Sequence, residues 1–136
     1  MTVSTHIRSA TALASALAVA LCASSAAAQS LRPMKGEVSS FGETFDIEVR
    51  PFNPYQRAIG VEMKVYDHEF RPVPTARVAP ERFMLGSGNS RPVTARIPFA
   101  GYSPRYVRVC AESVPIRRSA TQVRTRVCGK FKATRR

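Results

Sequence analysis

The sequence predicts an all-β domain, and three observations carry that prediction. Apolar and polar residues alternate at period 2 in several short runs, as in Phe45, Ile47 and Val49 or in Ile59, Val61, Met63 and Val65. Ten prolines and seven glycines punctuate the chain between such runs. Beyond the N-terminal segment, no stretch carries a helical period. About seven short strands separated by Gly/Pro turns pack as an antiparallel sandwich or a small barrel. The immunoglobulin-like β-sandwich is the default at this length.

The chain has 136 residues and a formal charge of +12. Residues 1–28 read as a signal peptide: a weakly basic start at Arg8, an apolar run from Ala10 to Cys22, and a small-residue site at Ala26-Ala27-Ala28 before Gln29. The alternative, a membrane anchor, fits less well, because the run is mostly Ala and shorter than the roughly 20 residues a bilayer core needs. A lipid anchor at Cys22 is discounted, since Leu21 stands where a small residue is required. Cleavage after Ala28 leaves residues 29–136 as one immunoglobulin-like domain with no membrane span, periplasmic or secreted. It also leaves two cysteines, an even count that suits a disulfide in an oxidising compartment.

Leu31–Phe41 reads as irregular, with one short strand at Glu37–Ser40. From Glu43, Phe45, Ile47 and Val49 alternate with polar residues, and Pro51 is expected to end that strand. Asn53-Pro54 starts a turn. Ala58–Tyr66 is the cleanest strand, with Ile59, Val61, Met63 and Val65 on one face. An exposed connection follows, with an edge strand around Ala76–Ala79, and then Phe83-Met84-Leu85 anchors in the core. Gly86–Ser90 is a turn by composition, and Val93, Ala95 and Ile97 form a strand closed by Pro98.

The last third, Arg105–Lys132, holds two alternating runs with one cysteine each, a β-hairpin with a long loop. Setting Cys110 opposite Cys128 puts Glu112 opposite Arg126, Val114 opposite Arg124, and the turn near Ser119. Val107, Val109 and Ala111 then share a face with Val123, Val127 and Phe131. Tyr106, Arg108 and Cys110 share the other with Arg124, Arg126 and Lys130. A Cys110–Cys128 bridge therefore belongs on the basic, outward face. Directly opposed residues have Cα atoms roughly 4.5–5.5 Å apart, which a disulfide tolerates. A redox-active pair is the rival reading, and structural bridging is preferred.

Little in the sequence points to catalysis. His68, the one histidine outside the signal, sits in a charged loop. Gly86–Ser90 lacks the ending of a phosphate-binding loop and precedes a strand. Glu43, Asp46 and Glu48 lie on the outer face of a strand, and the two cysteines without a histidine pair make a poor metal site. No cofactor, metal or catalytic residue is expected. The candidate anion-binding residues are Arg108, Arg124, Arg126, Lys130 and Lys132 on one sheet face. Nucleic acid is disfavoured as the anion, because no recognition helix is in the pattern and export removes the chain from most nucleic acid.

Asn53-Pro54 before an alternating strand, then Pro80-Glu81-Arg82-Phe83-Met84-Leu85 followed by Gly88 and Ser90–Ile97, resembles the N-terminal domain of periplasmic pilus-assembly chaperones. Val107–Pro115 is similar to the family's penultimate strand, and Lys130-Phe131-Lys132 with Arg136 to its basic close. The resemblance spans Glu43–Arg136. It implies a sandwich whose last strand lends alternating apolar residues to a partner's incomplete sheet, here Val123, Thr125, Val127 and Phe131. It also implies that a late-strand lysine, Lys132 by position, anchors a partner's terminal carboxylate. No arginine falls where the family's second anchor stands: Arg32 is too far upstream and Glu37 lies nearer. The sequence stops where the family's second domain would begin, and the disulfide is not expected of the family at large.

The expectation is thus an exported, disulfide-stapled, non-catalytic binding protein that engages a protein partner, such as a pilus or surface subunit, through its last strand. The rival is a cationic envelope protein whose Arg/Lys face holds an anionic polymer or lipid.

Overall fold

The computed structural model describes residues 29–114 and 124–136. They form nine strands: β1 (Ser30–Arg32), β2 (Lys35–Ser40), β3 (Thr44–Phe52), β4 (Ile59–Asp67), β5 (Arg77–Ala79), β6 (Arg82–Leu85), β7 (Val93–Pro98), β8 (Arg105–Val114) and β9 (Arg126–Arg135). One sheet has the order β1-β3-β7-β5 and the other β2-β9-β8-β4-β6, so the chain is a two-sheet, immunoglobulin-like sandwich. The alternation read from the sequence is the inner lining of both sheets. Phe45, Ile47, Val49, Val93, Ala95 and Ile97 from the first sheet meet Val61, Met63, Val107, Val109 and Ala111 from the second, all buried. Burying each such side chain stabilises the fold by about 1.5–3 kcal/mol relative to exposure.

Four details differ from the sequence expectations. The segment before Phe41 supplies two strands rather than one, because Leu31 is fully buried on β1 while β2 crosses to the other sheet. The β2–β9 pair is parallel, the one exception to antiparallel pairing among the described strands. Pro51 does not end β3, which runs on to Phe52 and pairs with β1. Its carbonyl still accepts from Arg91 N at 3.4 Å, beyond the last β3–β7 pair, so the missing N–H costs only the return bond of a ladder that is ending. Arg82–Leu85 forms a strand beside β4, with Phe83 and Leu85 turned inward and Met84 exposed.

Asn53 does more than begin a turn. Its buried side chain donates from Nδ2 to the carbonyls of Arg57 (2.8 Å), Leu85 (2.9 Å) and Gly86 (3.1 Å), and accepts from Tyr55 N at 2.9 Å. One amide thus ties the β3–β4 connection to the end of β6.

Candidate functional site

The final hairpin adopts the predicted register: Cys110 faces Cys128 and Glu112 faces Arg126. The cysteines are bridged, with Cα atoms 4.0 Å apart, closer than the roughly 4.5–5.5 Å expected of opposed residues. A backbone bond from Ser113 N to Thr125 O marks residue 125 as hydrogen-bonded toward β8. By alternation, Val127 and Gly129 also point their backbone groups at β8. Those of Arg126, Cys128 and Lys130 point the other way.

That other side is only half covered. Strand β2 pairs with β9 from Lys130 to Arg135, and Lys130 N donates to Met34 O at 2.8 Å. Among the described residues, no strand pairs with Arg126 and Cys128 on that side. Among the described residues, the N-terminal half of β9 thus has no strand hydrogen-bonded to it on that side, although Gln29 and Pro33 pass close by, and the C-terminal half does. The predicted partner-strand residues divide accordingly. Phe131 lies in the covered half, buried at 4% exposure with its ring against Gly36 and Gly129, so it is core and not part of a pairing edge. Val127 is half-buried on the inner face. Thr125 is half-buried too, its hydroxyl bonding Ser113 Oγ and Gln29 Oε1, each at 3.0 Å. Val123 and the predicted turn at Ser119 lie outside the described residues.

The outer face of the second sheet is also divided. At the Arg126 end its charges are balanced: the opposed acids Glu62 and Glu112 lie between Arg82 and Arg126, with Lys64 beside them. Glu112, nearly buried, accepts from Tyr66 Oη (2.8 Å) and Lys64 Nζ (3.0 Å) and pairs with Arg126 Nε (2.7 Å), while Glu62 pairs with Arg82 at 2.7 Å. Burial alone pushes the Glu112 carboxyl up, but the bonds from Tyr66 and Lys64 and the charges of Lys64 and Arg126 outweigh it and hold its pKa down. The Arg126 guanidinium also stacks 5.0 Å from the centre of the Tyr66 ring. The disulfide stands on this outward face as expected, but it is not open to solvent: Cys110 is fully buried and Cys128 half-buried.

Nearer the other end, Lys130 stands between Lys35 on β2 and Arg108 on β8, three cations abreast. The next row is Glu37, Lys132 and Tyr106, with Lys132 Nζ 3.8 Å from Glu37. These residues, with His68, line an open depression of about 1010 Å³. Of the predicted anion-binding set, the fold brings together Arg108, Lys130 and Lys132. Arg126 is committed to Glu112, and Arg124 is exposed beyond the start of β9. Lys35 and His68 join the group unannounced, because their strand partners and loop neighbours are distant in sequence.

A sequence comparison with protein families finds no match, and one with curated proteins finds none. Comparison with solved structures does. The Escherichia coli chaperone DraB superposes with a TM-score of 0.65 at 13% identity, covering 79% of this chain and 55% of its own. The SafB chaperone structure of Salmonella enterica, a complex with the SafA pilin, gives 0.64 at 14%, covering 79% and 54%. The chain has the pilus-chaperone fold. It spans about half the length of these chaperones. Pilus-chaperone architecture is shared more widely: an MSP-domain-like protein of Caenorhabditis elegans matches with a TM-score of 0.56 at 14% identity, covering 76% of this chain and 97% of its own. At such identities the likeness concerns the fold, and function rests on the site.

Proposed function

We propose that this protein is an exported, non-catalytic binding protein that captures a protein partner by strand pairing at the free half of β9. The observation that carries the reading is the incomplete cover of that strand. Arg126 and Cys128 aim backbone donors and acceptors away from β8, with β2 paired only from Lys130 onward. A partner strand laid there would satisfy those groups, and Val127 with Val123 would offer alternate apolar side chains. The fold is consistent with this role, since solved relatives include chaperones in complex with a pilin or a tip adhesin. The disulfide and the N-terminal pattern favour an oxidising compartment.

The test is affinity capture of partners by the exported protein and by its Val127→Asp variant, each checked for a cooperative melt. Loss of a captured surface subunit from a variant that still melts cooperatively supports the reading. Unchanged capture removes it. If Val127→Asp merely unfolds the chain, Arg126→Pro, which alters a residue whose N–H faces away from β8, takes its place.

A further inference from the structure

We propose that the cationic half of the outer sheet face is a docking surface for an anionic phospholipid bilayer. The starting point is the row Lys35–Lys130–Arg108, three like charges directly opposed on neighbouring strands. Such neighbours repel and destabilise a sheet. The same sheet also sets Glu62 directly opposite Glu112, but there Lys64 bridges the two acids and Arg82 and Arg126 flank them, so the like charges are neutralised within the protein. Among the described residues, no carboxylate pairs with Lys35, Lys130 or Arg108, and Glu37 is the one acid lining the depression. Anions supplied from outside would offset the repulsion.

The shape and the remaining chemistry narrow the choice of anion. A depression of about 1010 Å³ is far wider than one carboxylate or phosphate, and its open form suits a surface bearing several anionic groups. Two exposed aromatic rings flank the cations. Tyr106 lines the depression at 51% exposure, and Phe70, at 45%, lies under the Arg108 guanidinium, 4.3 Å from its ring centre. Rings at headgroup depth beside Lys and Arg on lipid phosphates are the chemistry of a bilayer interface. A soluble polyanion would need the cations but not the exposed rings.

The experiment is co-sedimentation of the full chain with vesicles of phosphatidylglycerol in phosphatidylcholine, and with phosphatidylcholine alone. The parent is expected to bind the mixed vesicles selectively, with binding that weakens as salt is raised. Lys35→Glu/Lys130→Glu is expected to lower that affinity about a hundredfold without lowering the melting temperature, since the repulsion between positions 35 and 130 is kept while that between 130 and Arg108 becomes an attraction. Arg50→Glu/Arg77→Glu, two exposed sites on the other sheet, carries the same net charge and is expected to keep near-parent affinity. Equal loss in both variants, equal binding to pure phosphatidylcholine, or no vesicle binding overturns the proposal. So does binding of soluble polyphosphate without vesicles. Because Val127 lies outside this face, failure here leaves the strand-pairing reading untouched, and the reverse also holds.

Discussion

The Tyr66 hydroxyl donates to Glu112 Oε1 at 2.8 Å, although Tyr66 is paired with Arg108 and Glu112 with Glu62. The row between them is Lys64 with Cys110, so the tyrosine side chain runs diagonally past the row that holds the disulfide. Tyr66→Ala is therefore expected to speed reduction of Cys110–Cys128 by a thiol reductant roughly tenfold or more, while Tyr66→Phe, which keeps the ring, stays closer to the parent. Thiol labelling over time measures both.

Removing the bridge by Cys110→Ser/Cys128→Ser is expected to cost about 3 kcal/mol, given a sequence separation of 18. Amide exchange should rise most at Arg126–Cys128, the part of β9 that, among the described strands, pairs with β8 alone. Uniform acceleration across the sandwich would contradict that.

Glu112 gives the fold an acid-sensitive contribution. Its folded pKa lies below the unfolded value, so its stabilisation is fully present above about pH 4.3 and is lost as pH falls through the folded pKa. Glu112→Gln is expected to be about 1–3 kcal/mol less stable at neutral pH. The gap from the parent should narrow in acid, as read from urea midpoints across a pH series.

Phe131 and Gly129 form a packed pair under the β2 crossover. A Cβ at Gly129 would sit 2.7 Å from Phe131 Cε2 and 3.0 Å from Pro33 O. Gly129→Ala is expected to cost about 1–3 kcal/mol through overpacking, and Phe131→Ala about 3–5 kcal/mol through the cavity it leaves. Val127→Ala, at a half-buried site, should cost less than either. Urea denaturation of the three variants ranks them.

Asn53→Ala leaves the carbonyls of Arg57, Leu85 and Gly86 without their side-chain donor. A loss of about 1–3 kcal/mol is expected, with the melting temperature falling about 4–8 °C for each kcal/mol in a domain near this size. A thermal melt checks it.

Period-2 alternation, turn residues and the two cysteines were enough to determine which side chains line the core of β3, β4, β7, β8 and β9. The same features set the register of the final hairpin. They act locally, through the pleat of one strand or the geometry of one antiparallel pair. Tertiary structure alone decided the rest. Nothing local to residues 35–40 says that they lie parallel to β9 and stop at Lys130, yet that contact makes Phe131 core and leaves Arg126 and Cys128 at an edge. The same contact sets Lys35 beside Lys130, turning scattered basic residues into a row. Tyr66 reaches Glu112 only because β4 and β8 pair in one register, and Cys110, whose strand position turns it outward, is buried in that packing. Local sequence sets the face on which a side chain stands; packing between distant strands sets what covers that face and what stays open.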